Sequence, residues 1–470
     1  MLFNSPLFLF CFAPILFLTY FLLPRPLRNP FLVLSSVAFY AWGEPQFVGV
    51  VLLSTVLDWL IGNAIFRSHG EKVKIYLLWL GILGNLGILF YFKYVGFFVD
   101  SLNVALTSFH LNNIPAMTIA LPIGISFIVF EKITYLVDIY KRIGKPAHSI
   151  VSYFLYILLF PKLLAGPIVK YHDIADQLGM RALSAEDFVD GLRRFLIGLA
   201  KKVLIADTLQ EVVDPIFKLS SGELGFYNAW VGLICFTLQI YFDFSGYSDM
   251  AIGLARMMGF RLLENFNMPY ISESFTEFWR RWHISLSTWI REYLYIPLGG
   301  NRVSSVRMYT NLLLCFFLCG LWHGASWTFV IWGLYHGLFL IFDKIFWLDF
   351  QKCLPRFFNN LVTFLFIMIG WGVFRAESLT QASYYLSALF GLSSSEGTLI
   401  YLNGNIEVSI IVGLAICFRS VIPGFEQALA LYNRTPWKQE YGLAIALVLL
   451  LASIAKIAMT SFTPFLYFRF

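Results

Sequence analysis

The sequence predicts an all-α, polytopic membrane protein, and three observations across its 470 residues require it. Hydrophobic residues make up 59% of the chain and charged residues 13%, about half the roughly 25% of a soluble domain. Apolar runs suited to crossing a bilayer recur from one end to the other. Polar and ionisable residues gather instead in one stretch, Gln239 to Gly337. In hydrocarbon each backbone N–H and C=O must find an internal partner, so the spans are expected to be helices. The 49 Phe, 24 Tyr and 13 Trp suit interfacial belts and packing between those helices.

The first four spans are expected near residues 5–23, 31–43, 46–66 and 75–98, and a fifth near 117–140. The second is short for about 30 Å of hydrocarbon, so it is expected to be tilted, extended or partly inserted. Loops 24–30, 67–74 and 141–145 carry Lys and Arg, whereas 43–46 and 99–116 carry none. The positive-inside rule therefore puts the N-terminus outside and the basic loops in the cytoplasm. The N-terminal apolar run lacks a basic leader and a small-residue cleavage site, so it reads as a retained span. Residues 153–170, broken by Pro161, Gly166 and Pro167, read as re-entrant or interfacial. Residues 188–209 carry Arg193, Arg194, Lys201 and Lys202 beside apolar residues. That pattern fits a helix at the headgroups or one packed on the bundle. Apolar segments near 357–374, 406–418 and 441–459 bring the total to about eleven spans.

Neither an internal repeat nor a domain boundary is visible, so the chain reads as a single membrane domain, 1–470, with 239–337 as its chemical core. The net charge of +6 is too small and scattered to suggest nucleic acid. The six cysteines form neither a zinc pattern nor a disulfide framework, so no metal is expected. There is no P-loop, no GxGxxG opening a helix and no GxSxG elbow.

Ionisable residues inside a membrane are expensive and mark functional sites. Glu131 and Lys132 are adjacent and do not face each other on a helix, so each is expected to pair elsewhere or to line a polar cavity. His323 lies in Gly320-Leu-Trp-His-Gly-Ala-Ser-Trp327, where small neighbours would let another backbone or a thin substrate approach its ring. A neutral imidazole there suits either general-base work on a hydroxyl or a hydrogen bond between helices. His283 follows Arg280, Arg281 and Trp282, with Arg291 further on. These arginines suit the phosphates of a donor such as coenzyme A, or else lipid headgroups. On one straight helix His336 would lie about 20 Å from His323 and on another face, which favours a structural role. Asp243, Asp249, Asn265 and Asn267 are expected to hold the polar interior together.

The stretches ENFNMPYISESFTEFWRRWHISLSTWIREYLYIPLGGNR and GLWHGASWTFVIWGLYHG resemble the membrane-bound O-acyltransferase family, in particular its bacterial alginate and polysaccharide O-acetylation branch. LPIGISFIVFEKITYLVDIY, FPKLLAGPIVKY and QIYFDFSGYSDMAIGLARMMGF carry the likeness over nearly the whole chain. The resemblance implies a helical bundle around a central tunnel in the bacterial inner membrane. It also implies an acyl donor substrate, acetyl-CoA, with no permanently bound cofactor. A periplasmic or membrane-tethered acetyltransferase partner would complete transfer to an exported polysaccharide. The family's essential histidine falls on His323 and its other recurrent histidine on His283. His323 would then act as base or transient acyl carrier, and His283 would orient or polarise the thioester. Two departures, Glu292 where Asp is commoner and Met268 where Arg is frequent, touch the expected donor surface. The alternative from another class is an exporter with Glu131, Asp243 and the histidines as a proton relay.

Overall fold

The computed structural model describes residues 1–115, 119–179, 181–392, 399–434, 438–459 and 464–466. Among these every regular element is a helix. Seven helices are long and apolar enough to cross a membrane: Pro45–Arg67, Glu71–Ser108, Phe226–Met257, Ser305–His323, Trp327–Cys353, Arg356–Arg375 and Gln439–Met459. Phe8–Leu22 and Gly404–Cys417 are shorter apolar helices. The expected second span is longer than its apolar run, Arg25–Gly43, because Pro26 lies in the first turn, where no N–H partner is lost. The expected fifth span starts only at Ile125, after Gly124 at φ +78°, and ends at Tyr140. The 153–170 stretch is broken as its prolines require. Its helix Ile150–Leu158 stops at Leu159, and one turn, Phe160–Leu163, follows.

The chain forms two compact units: Met1–Gly191 with Ala251–Leu263, and Leu192–Met250 with Glu264–Phe470. In the first, the adjacent Glu131 and Lys132 point to different partners. Glu131 is ion-paired to Lys162. Lys132 reaches Asp58 at 3.5 Å and the Ser54 hydroxyl at 2.6 Å, and Asn85 donates to Asp58 at 2.8 Å. Paired and hydrogen-bonded in this way, charges can be held where lone ones would be prohibitive.

In the second unit, one face of residues 192–218 is packed against the protein. Leu199, Lys202, Val203 and Ala206 are buried. Gly198 sits so close to the Phe226–Met257 helix that a Cβ on it would lie 2.6 Å from the Gly246 carbonyl oxygen. Three of the basic residues on this stretch bond that helix: Lys202 bonds Asp243 at 2.6 Å, and Lys201 and Arg194 hold Asp249 at 2.6 and 2.9 Å. Both aspartates thus serve as internal anchors, the role their sequence context suggested.

The closest helix crossing in this unit is the hairpin of Ser305–His323 and Trp327–Phe342. A Cβ on Gly320 would come within 2.3 Å of the Phe329 carbonyl oxygen, and one on Gly333 within 2.2 Å of that of Phe316. Small residues at such crossings let backbones meet, and that contact holds membrane helices together where the hydrophobic effect does not. Gly333→Val should therefore be destabilised by about 1–3 kcal/mol, as overpacked cores are. Thermal unfolding in detergent would show a lower midpoint for it, and an unchanged or slightly raised one for Gly84→Ala, where a Cβ meets nothing and alanine is the better helix former.

Candidate active site

His323 is the last residue of its helix. Gly324 leaves the helix in an extended conformation (φ −164°, ψ 150°), and Ser326 opens the next helix at Trp327. A Cβ on Gly324 would lie 2.1 Å from the Phe329 ring. The small residues around His323 therefore make room for the neighbouring helix, where a thin substrate was one expectation. The imidazole sits edge-on among aromatic rings, with Trp332 at 5.0 Å and Phe374 at 5.5 Å between centroids. It borders a cavity of about 20 Å³ together with Asp243, Phe244, Trp282 and Trp371. That is room for a single water and not for a thioester arm. Leu466 also lines it, and its N–H donates to Asp243 at 2.9 Å.

His283 is delivered by a different device. The helix Phe275–Arg281 is held at its start by Ser274, which accepts from the Glu277 N–H, while Glu277 accepts from the Glu273 N–H. Asp343 accepts from the Thr276 N–H at 2.6 Å. These are the free donors of a helix start, each satisfied by an oxygen. The helix ends at Trp282, and His283 turns the chain at φ +44°, ψ 54° before Ile284–Ile290 begins. A non-glycine residue there costs about 1–2 kcal/mol, and such strain clusters at functional sites. The ring is fully buried and packs on Phe244 at 4.7 Å and on Trp322 at 6.1 Å. It thus lies one aromatic residue away from the His323 cavity, through Phe244. Asn265 holds it: its side-chain oxygen is 3.2 Å from His283 Nδ1 and accepts from the Ser285 N–H at 3.2 Å and hydroxyl at 2.9 Å.

The three arginines separate. Arg280 and Arg291 line a groove of about 420 Å³ with Lys344, Asn301, Ser287 and Thr288. Arg280 makes no ion pair among the described residues, and the exposed Arg291 meets the half-buried Glu292 at 3.1 Å. Arg281 is instead bound to Glu277 at 2.8 Å and to the Asn267 carbonyl at 3.2 Å, so it braces the turn that carries His283. Trp279 on the groove wall contacts Trp332 at 5.9 Å, and Trp332 contacts His323 at 5.0 Å. Met268 adopts a left-handed conformation at φ +43° just before the turn Pro269–Ile271.

His336 is not on one straight helix with His323, because Gly324–Ser326 breaks it. Both rings instead flank Trp332, His336 at 4.7 Å. Its Nδ1 accepts from the Trp279 indole at 3.3 Å, a structural use. Lys344 and the Trp279–Trp332 wall were not legible as site residues. A lysine next to Asp343 at the end of an apolar helix was the available signal. Glu131 and Asp243, which a proton relay would need free, are each held by a lysine.

The model of the membrane-bound O-acyltransferase family matches residues 37–386. The chain belongs to this family. It is 41% identical over its full length to the probable alginate O-acetylase of Pseudomonas putida, and 39% identical to that of Pseudomonas aeruginosa, each relative also being covered in full. The peptidoglycan O-acetyltransferase of Helicobacter pylori is 37% identical over 84% of this chain and 80% of its own. The teichoic acid D-alanyltransferase of Bacillus subtilis is 28% identical over 54% of this chain and 69% of its own. The chain is thus a multi-pass membrane acyltransferase.

Burial pushes the His283 imidazole down to about 3. An exposed histidine in the unfolded chain titrates near 6.5, so only the unfolded state gains a proton between those values. The stability His283 contributes is therefore complete above about pH 6.5 and is lost as pH falls toward 3. Thermal midpoints measured from pH 7 to 4 should decline less steeply in His283→Asn than in the wild type.

Proposed function

We propose that this chain moves an acetyl group from cytosolic acetyl-CoA across the bacterial inner membrane for O-acetylation of an exported polysaccharide. The N-terminus is periplasmic in this reading, and the chain works as one membrane domain. Alginate is the polymer favoured by the full-length likeness to alginate O-acetylases. A periplasmic or membrane-tethered acetyltransferase partner finishes the transfer.

One observation carries the reading: a groove with two arginines and a lysine shares its Trp279 wall with the rings that pack on His323. Arg280, Arg291 and Lys344 suit the phosphates of coenzyme A, with Arg giving paired N–H donors and Lys a point charge. The pantetheine arm then runs past Trp279 toward Trp332. Donor binding has to part these rings, because the space at His323 in this conformation is that of one water. There an acceptor hydroxyl attacks the thioester carbonyl. The His323 imidazole takes the hydroxyl proton, the C–S bond breaks, and the thiolate leaves and is reprotonated. Such base catalysis is worth about 10²–10⁴-fold.

Two measurements on the purified chain test this. His323→Ala should lose at least about 100-fold in acetyl transfer while the KM for acetyl-CoA stays near that of the wild type. Wild-type rates in this variant would remove His323 from the chemistry. The double change Arg280→Ala and Arg291→Ala should raise that KM and leave kcat largely intact, because phosphate contacts far from the reacting bond bind ground and transition states alike. An unchanged KM would move the donor to another surface.

A further inference from the structure

Asn265 is the hub of a buried polar network beside the His323 cavity. The Ser285 backbone N–H can only donate, so the Asn265 atom facing it at 3.2 Å is the carbonyl oxygen. The amide nitrogen is thereby turned to the Ser248 hydroxyl, 3.2 Å away. That same oxygen lies 3.2 Å from His283 Nδ1, and an oxygen acceptor bonds there only if Nδ1 carries the hydrogen. A neutral imidazole has one N–H, so His283 Nε2 is left as a bare lone pair. Nε2 is buried and has no hydrogen-bond partner among the described residues. The rings packed on the imidazole, Phe244 and Trp322, lead to His323, Phe244 as part of the cavity wall and Trp322 as the preceding residue.

We propose that Asn265 is a positioning residue that locks His283 as its Nδ1–H tautomer, so that Nε2 accepts a hydrogen bond from a substrate hydroxyl or amide. The inference rests on the acyl-transfer reading above and alters one part of it. A ring without Nε2–H cannot polarise a thioester carbonyl, one of the two roles the resemblance implied for His283, the other being to orient the thioester. It can instead orient a donor group, either the attacking hydroxyl or an amide of the pantetheine arm.

The titratable groups on the elements around His283 include Tyr241, Asp243, Tyr247 and Asp249 on one helix, Glu264, Arg280 and Arg281 on the segments that lead to the ring, and Cys319 and His323 on the helix of Trp322. Asp243 is neutralised by Lys202, Asp249 by Arg194 and Lys201, Glu264 by Arg194 and Arg281 by Glu277. A carboxylate in place of the Asn265 amide would therefore be the new charge felt at Nδ1–H.

The test uses the full-length protein in detergent with 15N-labelled histidine, the His283 signals being assigned by their loss in His283→Asn. The wild type should show Nδ1 protonated and Nε2 bare at neutral pH. Asn265→Asp keeps the acceptor and the shape, and the Ser248 hydroxyl can reverse its bond. Its carboxylate should raise the pH at which His283 takes a second proton, on Nε2. Activity of this variant should then fail at acid pH, with the acid limb of kcat moved up by at least one pH unit, and recover at alkaline pH. A merely structural asparagine would give a loss equal at every pH. Asn265→Ala should lower kcat at least tenfold. An unchanged acetyl-CoA KM there assigns the bond to the acceptor hydroxyl, and a raised one to pantetheine. A hydrogen on Nε2 in the wild type, or an Asn265→Asp pH profile that overlays the wild type, overturns the proposal. The spectrum decides the tautomer even if His323→Ala proves fully active, so the two readings fail separately.

Discussion

Three glycines set the geometry on which the candidate site depends. Gly320 and Gly333 let the helices Ser305–His323 and Trp327–Phe342 meet backbone to backbone, and Gly324 ends the first helix directly after His323. With that crossing fixed, the imidazole has one place to be: at a helix end, among Trp332, Phe374 and the wall of a small cavity. In lipid no hydrophobic force would correct a slipped crossing, so close packing has to specify it. The histidine is thus held by its neighbours' small size as much as by any bond of its own.

Around this hairpin the protein treats polar groups in two ways. Charges in the interior are paired: Glu131 with Lys162, Asp243 with Lys202, Asp249 with Arg194 and Lys201. Pairing makes their burial tolerable and commits them to structure. Other groups carry no such bond among the described residues, Arg280 at the groove and His283 Nε2 in the interior being two of them. Groups that are polar, positioned and unspent are where substrate chemistry can be done, and they lie on either side of the aromatic layer of Trp279, Trp332 and Phe244.

Much of the fold was legible because bilayer-crossing helices announce themselves in apolar length. The expected segments 46–66, 357–374 and 441–459 fall within a residue or a few of the helices Pro45–Arg67, Arg356–Arg375 and Lys438–Met459. Less legible were elements decided by tertiary contact. The basic face of 192–202 suits the headgroups or the bundle equally in sequence, and three of its charges are claimed by aspartates some 40–55 residues away. In the site, His323 and His283 stood out because histidines are rare in apolar surroundings. The division of Arg280, Arg281 and Arg291 did not, since three nearby arginines look alike until Glu277 and Asn267 claim one of them. Asn265 looked like one more interior amide, and only its three-way contact to His283 and Ser285 distinguishes it.

In the proposed reaction donor and acceptor meet at His323 from opposite faces of the membrane. Sealed vesicles with the chain and its acceptor partner in known orientation, given labelled acetyl-CoA on the cytoplasmic face alone, test it most directly. The account predicts that labelled acetyl esters accumulate on the opposite face with the wild-type chain and stay at background with His323→Ala. Esters formed equally by both chains, or only when acetyl-CoA is placed on the acceptor's own side, would contradict it.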